Sequence, residues 1–140
     1  MMALEWSKQL SVGNAIIDSE HKNLIVMVNS IEPIIKARDG VALSQELEQI
    51  EHWLCTHFEN EERIASAVGF DFTKNKLEHQ NLLKEFHRIR DELTAMNGIW
   101  SDKVAKQYFK FLCDWITGHV IEEDMLMKPV LQNHEYHFRG

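Results

Sequence analysis

The sequence has little that interrupts a chain: six glycines and two prolines in 140 residues. The long stretches between them carry apolar residues at helical spacing, so the chain reads as all-α. Cysteine is also scarce. Cys55 and Cys113 lie far apart and neither belongs to a CxxC pair, which leaves no zinc knuckle and no expected disulfide, and both are read as buried thiols. Positive charge is short as well, with 15 Lys and Arg against 22 Asp and Glu and a formal net charge of -7. That balance argues against a nucleic-acid partner or an anionic membrane surface, and the expected partner is small. No apolar run approaches the length of a membrane span, and Met1 to Ser7 lacks a charged segment followed by an apolar stretch; the expectation is a cytoplasmic protein. At 44% hydrophobic residues, the chain has the size and content of one domain with a real core.

Four helices are expected. Residues 1–17, with Trp6, Leu10 and Val12-Gly13, have no helical period and read as an arm across the bundle, after which Asp18 is the expected cap. The first helix carries His21, Leu24, Val28, Ile31 and Ile35, with Gly40 expected to close it. Pro33 lies inside it and should loosen it one turn back. The second runs through Leu43, Leu47, Ile50, Leu54, His57, Glu61, Ile64 and Val68 to Gly69. The third, with Thr73 as its expected cap, carries Asn75, His79, Leu82, Phe86, Ile89, Leu93 and Met96. The fourth begins after Ser101 and reads Ala105, Tyr108, Leu112, Trp115, His119, Glu122 and Leu126 before Pro129. Residues 129–140 form a polar tail, expected to be loosely held. Short links make sequential helices antiparallel, an up-down-up-down four-helix bundle.

That topology gives the histidines their meaning. The polar seam residues stand at the start of the first helix (His21), late in the second (His57, Glu61), at the start of the third (Asn75, His79) and late in the fourth (His119 and the acids after it). In an antiparallel bundle these four places share one end. An unpaired polar group in a core costs roughly 1–3 kcal/mol, so a layer of them needs compensation, and a metal is the simplest source. His57 and Glu61, four residues apart, project from one face as two ligands of one site. Imidazole with carboxylate suits iron, manganese or zinc better than calcium or magnesium. A carboxylate can bridge two ions, and four histidines with two acids exceed what one tetrahedral ion takes, so two metals fit better than one. His52, about 140° around the helix from His57, and His87, about 12 Å along from His79, are read as non-ligands, as are His134 and His137. Met125 and Met127 are read as packing, and Trp53, Trp100 and Trp115 as core or rim aromatics. On the fourth helix a strict period favours Glu122 or Glu123 as the acid partner of His119. Asp124, five residues on, needs a π-type widening or a loosened turn to face inward.

The whole chain resembles the hemerythrin family, and especially its single-domain bacteriohemerythrins. The matching residues are W-S-x-x-L-x-V-G from Trp6, I-D-S-E-H-K from Ile17, H-F-E-N-E-E from His57, E-H at Glu78-His79 and W-I-x-x-H-V-I-E-E-D from Trp115. The resemblance implies one hemerythrin-like domain over residues 1–140, with the arm at 1–17, the bundle at 18–128 and the tail at 129–140. It selects Asp124 over Glu122 and Glu123. It further implies that His21 and His57 bind one iron, that His79 and His119 bind the other, and that Glu61 and Asp124 bridge the pair beside an oxo or hydroxo group. Dioxygen is the implied ligand, for storage, delivery or sensing, at an open position flanked by His21 and His57.

The sequence departs from the family at Asn75. The family presents H-x-x-x-H at the start of the third helix, and here Asn75 holds the first of those positions, after a link one residue short. The departure implies an iron with one nitrogen donor fewer, and oxygen held less reversibly. A di-iron oxidase or peroxidase is therefore an alternative to a carrier, although no histidine has Glu three residues before it, the pairing that bundle di-iron enzymes use. A sensor module read by a protein partner is a further alternative, weakened by the lack of an attached output domain.

Overall fold

The computed structural model describes residues 4–121 and 124–140, without the side chains at 119 and 120. Four long helical rods run antiparallel in sequence order around an apolar core, and the described residues include no strand. The first rod is broken in two, as Pro33 predicts. Helix α1 spans Ala15–Asn29 and α2 spans Ile31–Lys36, with the break at Ser30, about one turn before the proline. Helix α3 spans Gly40–Ala67 and α4 spans Thr73–Met96. At 28 residues α3 is roughly 42 Å long, enough to reach from one end of the bundle to the other. Helix α5, Asp102–Trp115, is followed by a π-helical segment, Ile116–Ile121, and by a short α6, Lys128–Leu131. No helix is long and apolar enough to cross a membrane.

The predicted seams are buried nearly residue for residue. Leu24, Val28, Leu43, Leu47, Ile50, Leu54, Leu82, Phe86, Ile89, Leu93, Ala105 and Leu112 all lie inside, whereas Tyr108, expected in the last seam, is half-buried and its neighbour Phe109 takes the inward place. Ser101 caps α5, its hydroxyl accepting the Val104 N–H at 3.2 Å. Two other caps differ from expectation. Asp18 does not start α1; Asn14 does, its side-chain oxygen accepting the N–H groups of Ile16 and Ile17. Thr73 is already helical, and its N–H donates to Asp71 Oδ1 at 3.1 Å. Gly40 does not close the first rod but opens α3, behind Asp39, which caps it by accepting the Ala42 N–H. Its missing Cβ matters because one built there would come within 3.1 Å of the Asn97–Gly98 backbone, where the link into α5 crosses.

The tail is not loose. The Ala15 N–H donates to the Tyr136 carbonyl at 2.8 Å, and the Asn14 amide donates to the Phe138 carbonyl at 2.8 Å. Asp18, fully buried, accepts hydrogen bonds from Ser11 Oγ, the Val12 N–H and the Tyr136 hydroxyl. One carboxylate thus ties the arm and the tail to the first turn of α1, which is why it is inside. Cys113 is buried as expected, whereas Cys55 is exposed, because it follows the seam residue Leu54 and turns outward.

Candidate metal centre

Four of the six residues singled out as ligands meet at the end of the bundle where the sequence places them. His21 rises from α1, His57 and Glu61 from α3, and Asp124 from the chain just beyond the π segment, all buried. One potential ligand atom from each lies within 4.8 Å of the others. His79, from α4, faces the same group from the far side, its Nε2 3.5 Å from Glu61 Oε2 and 3.9 Å from Asp124 Oδ1. His119 belongs to the π segment, but its side chain lies outside the described residues, as do Glu122 and Glu123 entirely.

The π segment determines which acid turns inward. It adds residues to a turn, so the inward face after Trp115 and Ile116 moves to Ile121, Asp124, Met127 and Leu131, while Leu126 is left exposed. A strict α period would have put Leu126 there.

The two carboxylates face both sides of the layer. Asp124 Oδ2 lies 2.6 Å from His21 Nε2 and 3.1 Å from His57 Nε2, and its other oxygen looks toward His79. Glu61 repeats the pattern: Oε1 is against His57 Nε2 and 3.9 Å from His21 Nε2, and Oε2 is the atom nearest His79.

The electrostatics of the layer follow from carboxylates and imidazoles packed together out of water. Burial and the neighbouring Asp124 carboxylate push Glu61 up to about 7. Burial alone would also raise Asp124, but its contacts with Glu61, His21 and His57 hold it well below the usual carboxylate range. Burial works against a charged His57, yet Glu61, Asp124 and Glu20 outweigh it and raise its pKa well above the ordinary histidine value; Asp124 and Glu61 do the same to a smaller degree for His21. His79 is held down at about 4 by burial. Although the imidazoles are close, among the described residues neither oxygen of Glu61 receives an aligned hydrogen bond and His21 Nδ1 has no partner. Buried oxygen and nitrogen donors left over in this way fit a metal, and the mixed imidazole and carboxylate set fits a first-row transition ion.

Known proteins are similar in sequence over most of the chain. A bacteriohemerythrin of Methylococcus capsulatus is 24% identical over 133 residues, covering 94% of this chain and 98% of its own. Bacteriohemerythrins of Pseudomonas aeruginosa and Stenotrophomonas maltophilia are 22% and 21% identical, covering 89% and 96% of this chain and 78% and 85% of theirs. The chain is thus similar to single-domain bacteriohemerythrins along most of its length. No family model matches it, and no solved structure does.

Within this hemerythrin-like layer the sequence reading missed the groups that hold the ligands. His57 Nδ1 donates to Glu20 Oε1 at 3.0 Å, and Glu20 Oε2 accepts from the Asn60 amide at 2.7 Å. In the neutral imidazole this fixes the proton on Nδ1 and turns the Nε2 lone pair toward the cluster. The signal was present in I-D-S-E-H-K and H-F-E-N-E-E, where Glu20 and Asn60 stand beside ligand candidates. Aromatic rings close the layer: Trp53 stacks on His57 at 5.3 Å between centroids, and Phe58 on His79 at 3.8 Å. Asn75 is buried one turn before His79, in the position predicted for it.

Proposed function

We propose that this layer holds two iron ions and that the protein binds dioxygen there, for storage, delivery or sensing, as a binding protein and not an enzyme. The observation that carries the reading is the two-sided presentation of the carboxylates. Glu61 and Asp124 each offer one oxygen toward the His21 and His57 side and the other toward His79. On this reading His21 and His57 would hold one iron, His79 and His119 the other, with Glu61 and Asp124 available to both. Iron held there would supply reversible redox chemistry toward dioxygen.

The chain's own residues do the rest. Glu20 keeps His57 in one tautomer and one orientation. Trp53, Phe58 and Phe72 wall the imidazoles and limit water, which slows loss of electrons to solvent-borne oxidants. Metal analysis of the purified protein with absorption spectra in air and after deoxygenation tests the proposal. The expected result is two irons per chain and a band that appears in air and disappears reversibly. Zinc alone, or a spectrum indifferent to oxygen, would sink it.

Asn75 supports a second reading, in which oxygen is held less reversibly and the site turns over as an oxidase or peroxidase. Its buried position next to His79 is where the family pattern carries another histidine. Asn75→His is expected to slow autoxidation, followed as decay of the oxygenated spectrum, without lowering iron content. An unchanged rate would remove this reading and leave the carrier.

A further inference from the structure

Outside the metal layer, where the tail crosses the foot of α1, a cleft of about 550 Å³ opens between α1, α3 and the last residues of the chain. Ser19, Glu20, Arg63, His137 and Arg139 line it. In a chain of net charge -7, two guanidiniums and an imidazole gathered around one cleft are an exception to the surface as a whole. Arg63 and Arg139 are both exposed, and among the described residues neither forms an ion pair. Among the lining side chains Glu20 alone is acidic, and both of its oxygens already accept hydrogen bonds, one from His57 and the other from Asn60. The lining side chains therefore have N–H and O–H donors to spare.

A guanidinium carries five N–H donors in a planar fork that matches phosphate or carboxylate. Arg63 uses one of them within the protein, from Nη1 to Asn60 Oδ1 at 3.1 Å. That bond is the first of a connected series: Asn60 Nδ2 donates to Glu20 Oε2 at 2.7 Å, and Glu20 Oε1 accepts from His57 Nδ1 at 3.0 Å. The series runs from the wall of the cleft to a residue of the metal layer.

We propose that the cleft is a binding site for a small oxyanion, a phosphate or a carboxylate, and that Arg63, Asn60 and Glu20 transmit its occupancy to His57. An anion engaging Arg63 and Arg139 draws the Arg63 fork outward and loosens its hold on Asn60. Glu20 is then gripped differently by Asn60, and the acceptor that orients His57 shifts with it. Coupling of this kind is reciprocal: whatever factor the anion imposes on metal retention, the metal imposes on anion affinity. Anion binding itself does not depend on the di-iron reading; only the coupling involves the layer, whatever divalent ion it carries.

Equilibrium dialysis of the purified protein against labelled inorganic phosphate, and separately against labelled succinate, tests the site. The tighter of the two names the source of the oxyanion. One saturable site per chain is expected, and the Arg63→Gln/Arg139→Gln pair should weaken it at least about tenfold, with circular dichroism confirming the fold. Binding absent for both anions up to about 10 mM, or unchanged in the double variant, would overturn the proposal. For the coupling, the rate at which a chelator strips metal from the protein is expected to change with the tighter anion present, and to stop responding in Asn60→Ala, which keeps both arginines. A stripping rate indifferent to the anion in the unaltered chain would overturn the transmission. Failure to find iron would count against the dioxygen reading without altering the dialysis result.

Discussion

The two ends of this bundle are built on opposite principles. Around the α2 turn and the start of α5, the interior is Ile31, Ile35, Leu43, Leu47, Leu93 and Ala105, closed by Trp100, whose indole N–H donates to the Ile35 carbonyl at 3.0 Å. The other end holds every buried polar or charged residue among those described: Asn14, Asp18, His21, His57, Glu61, Asn75, His79 and Asp124. Apolar burial stabilises folding with no ligand present, whereas a polar layer costs stability until its groups are partnered. The comparison teaches that fold and function are separable along the bundle axis. One end holds the helices together so that the other can carry groups that would not hold themselves.

The largest effect is expected at the apolar end. Leu47 is fully buried in the main core cluster. Leu47→Ala removes its packing and leaves a cavity, a change that costs about 2–5 kcal/mol in well-packed cores. Denaturant unfolding should show that loss, while metal content per folded chain stays that of the unaltered protein. A fall in metal content in step with stability would mean that the two ends are not separable.

The converse change is Glu61→Leu. Glu61 is fully buried, and neither oxygen accepts an aligned hydrogen bond from the described residues. An unsatisfied buried polar group costs about 1–3 kcal/mol, and leucine fills a similar volume without that cost. The variant is therefore expected to lose metal binding and, compared with the chelator-treated parent, to unfold about 1 kcal/mol harder. A less stable variant would show that the layer contributes to folding even without metal.

The same contrast explains what could be read from the sequence. The apolar seams follow a period of 3.6 residues, so α3 and α4 were legible almost to the residue, and His57 with Glu61 came with them. Asp124 was not legible from period alone, because the π segment at Ile116–Ile121 shifts the phase of the last rod; the resemblance selected it where spacing could not. The ends of elements were least legible. Gly40 has the composition of a helix stop, yet it serves a close approach to Asn97 and Gly98 that only tertiary structure reveals. Asp18 looks like a cap, but its three donors come from the arm and from Tyr136, which is 118 residues away. The tail was read as loose because its polar composition hides two backbone carbonyls, of Tyr136 and Phe138, that bond to the start of α1.

The smallest predicted effect on stability lies at the boundary between the two principles, on a residue that supports a ligand without belonging to the layer. Glu20 is only partly buried and accepts from His57 Nδ1 and from Asn60 Nδ2. Glu20→Gln keeps the shape but removes the charge, and it offers one oxygen where two donors require an acceptor. If that oxygen stays with His57, the new amide N–H₂ meets the Asn60 amide donor, and Asn60 must flip and give up its present bond from Arg63. Overall stability should move little, because the site is near the surface and no core packing changes. Metal affinity should fall by about 10- to 100-fold, the usual loss when the partner of a ligand histidine is weakened. Competition with a chelator of known affinity measures it. Were affinity unchanged, packing against Trp53 alone would suffice to hold His57 in place; were stability to fall as far as in Leu47→Ala, the metal end would be part of the folding core after all.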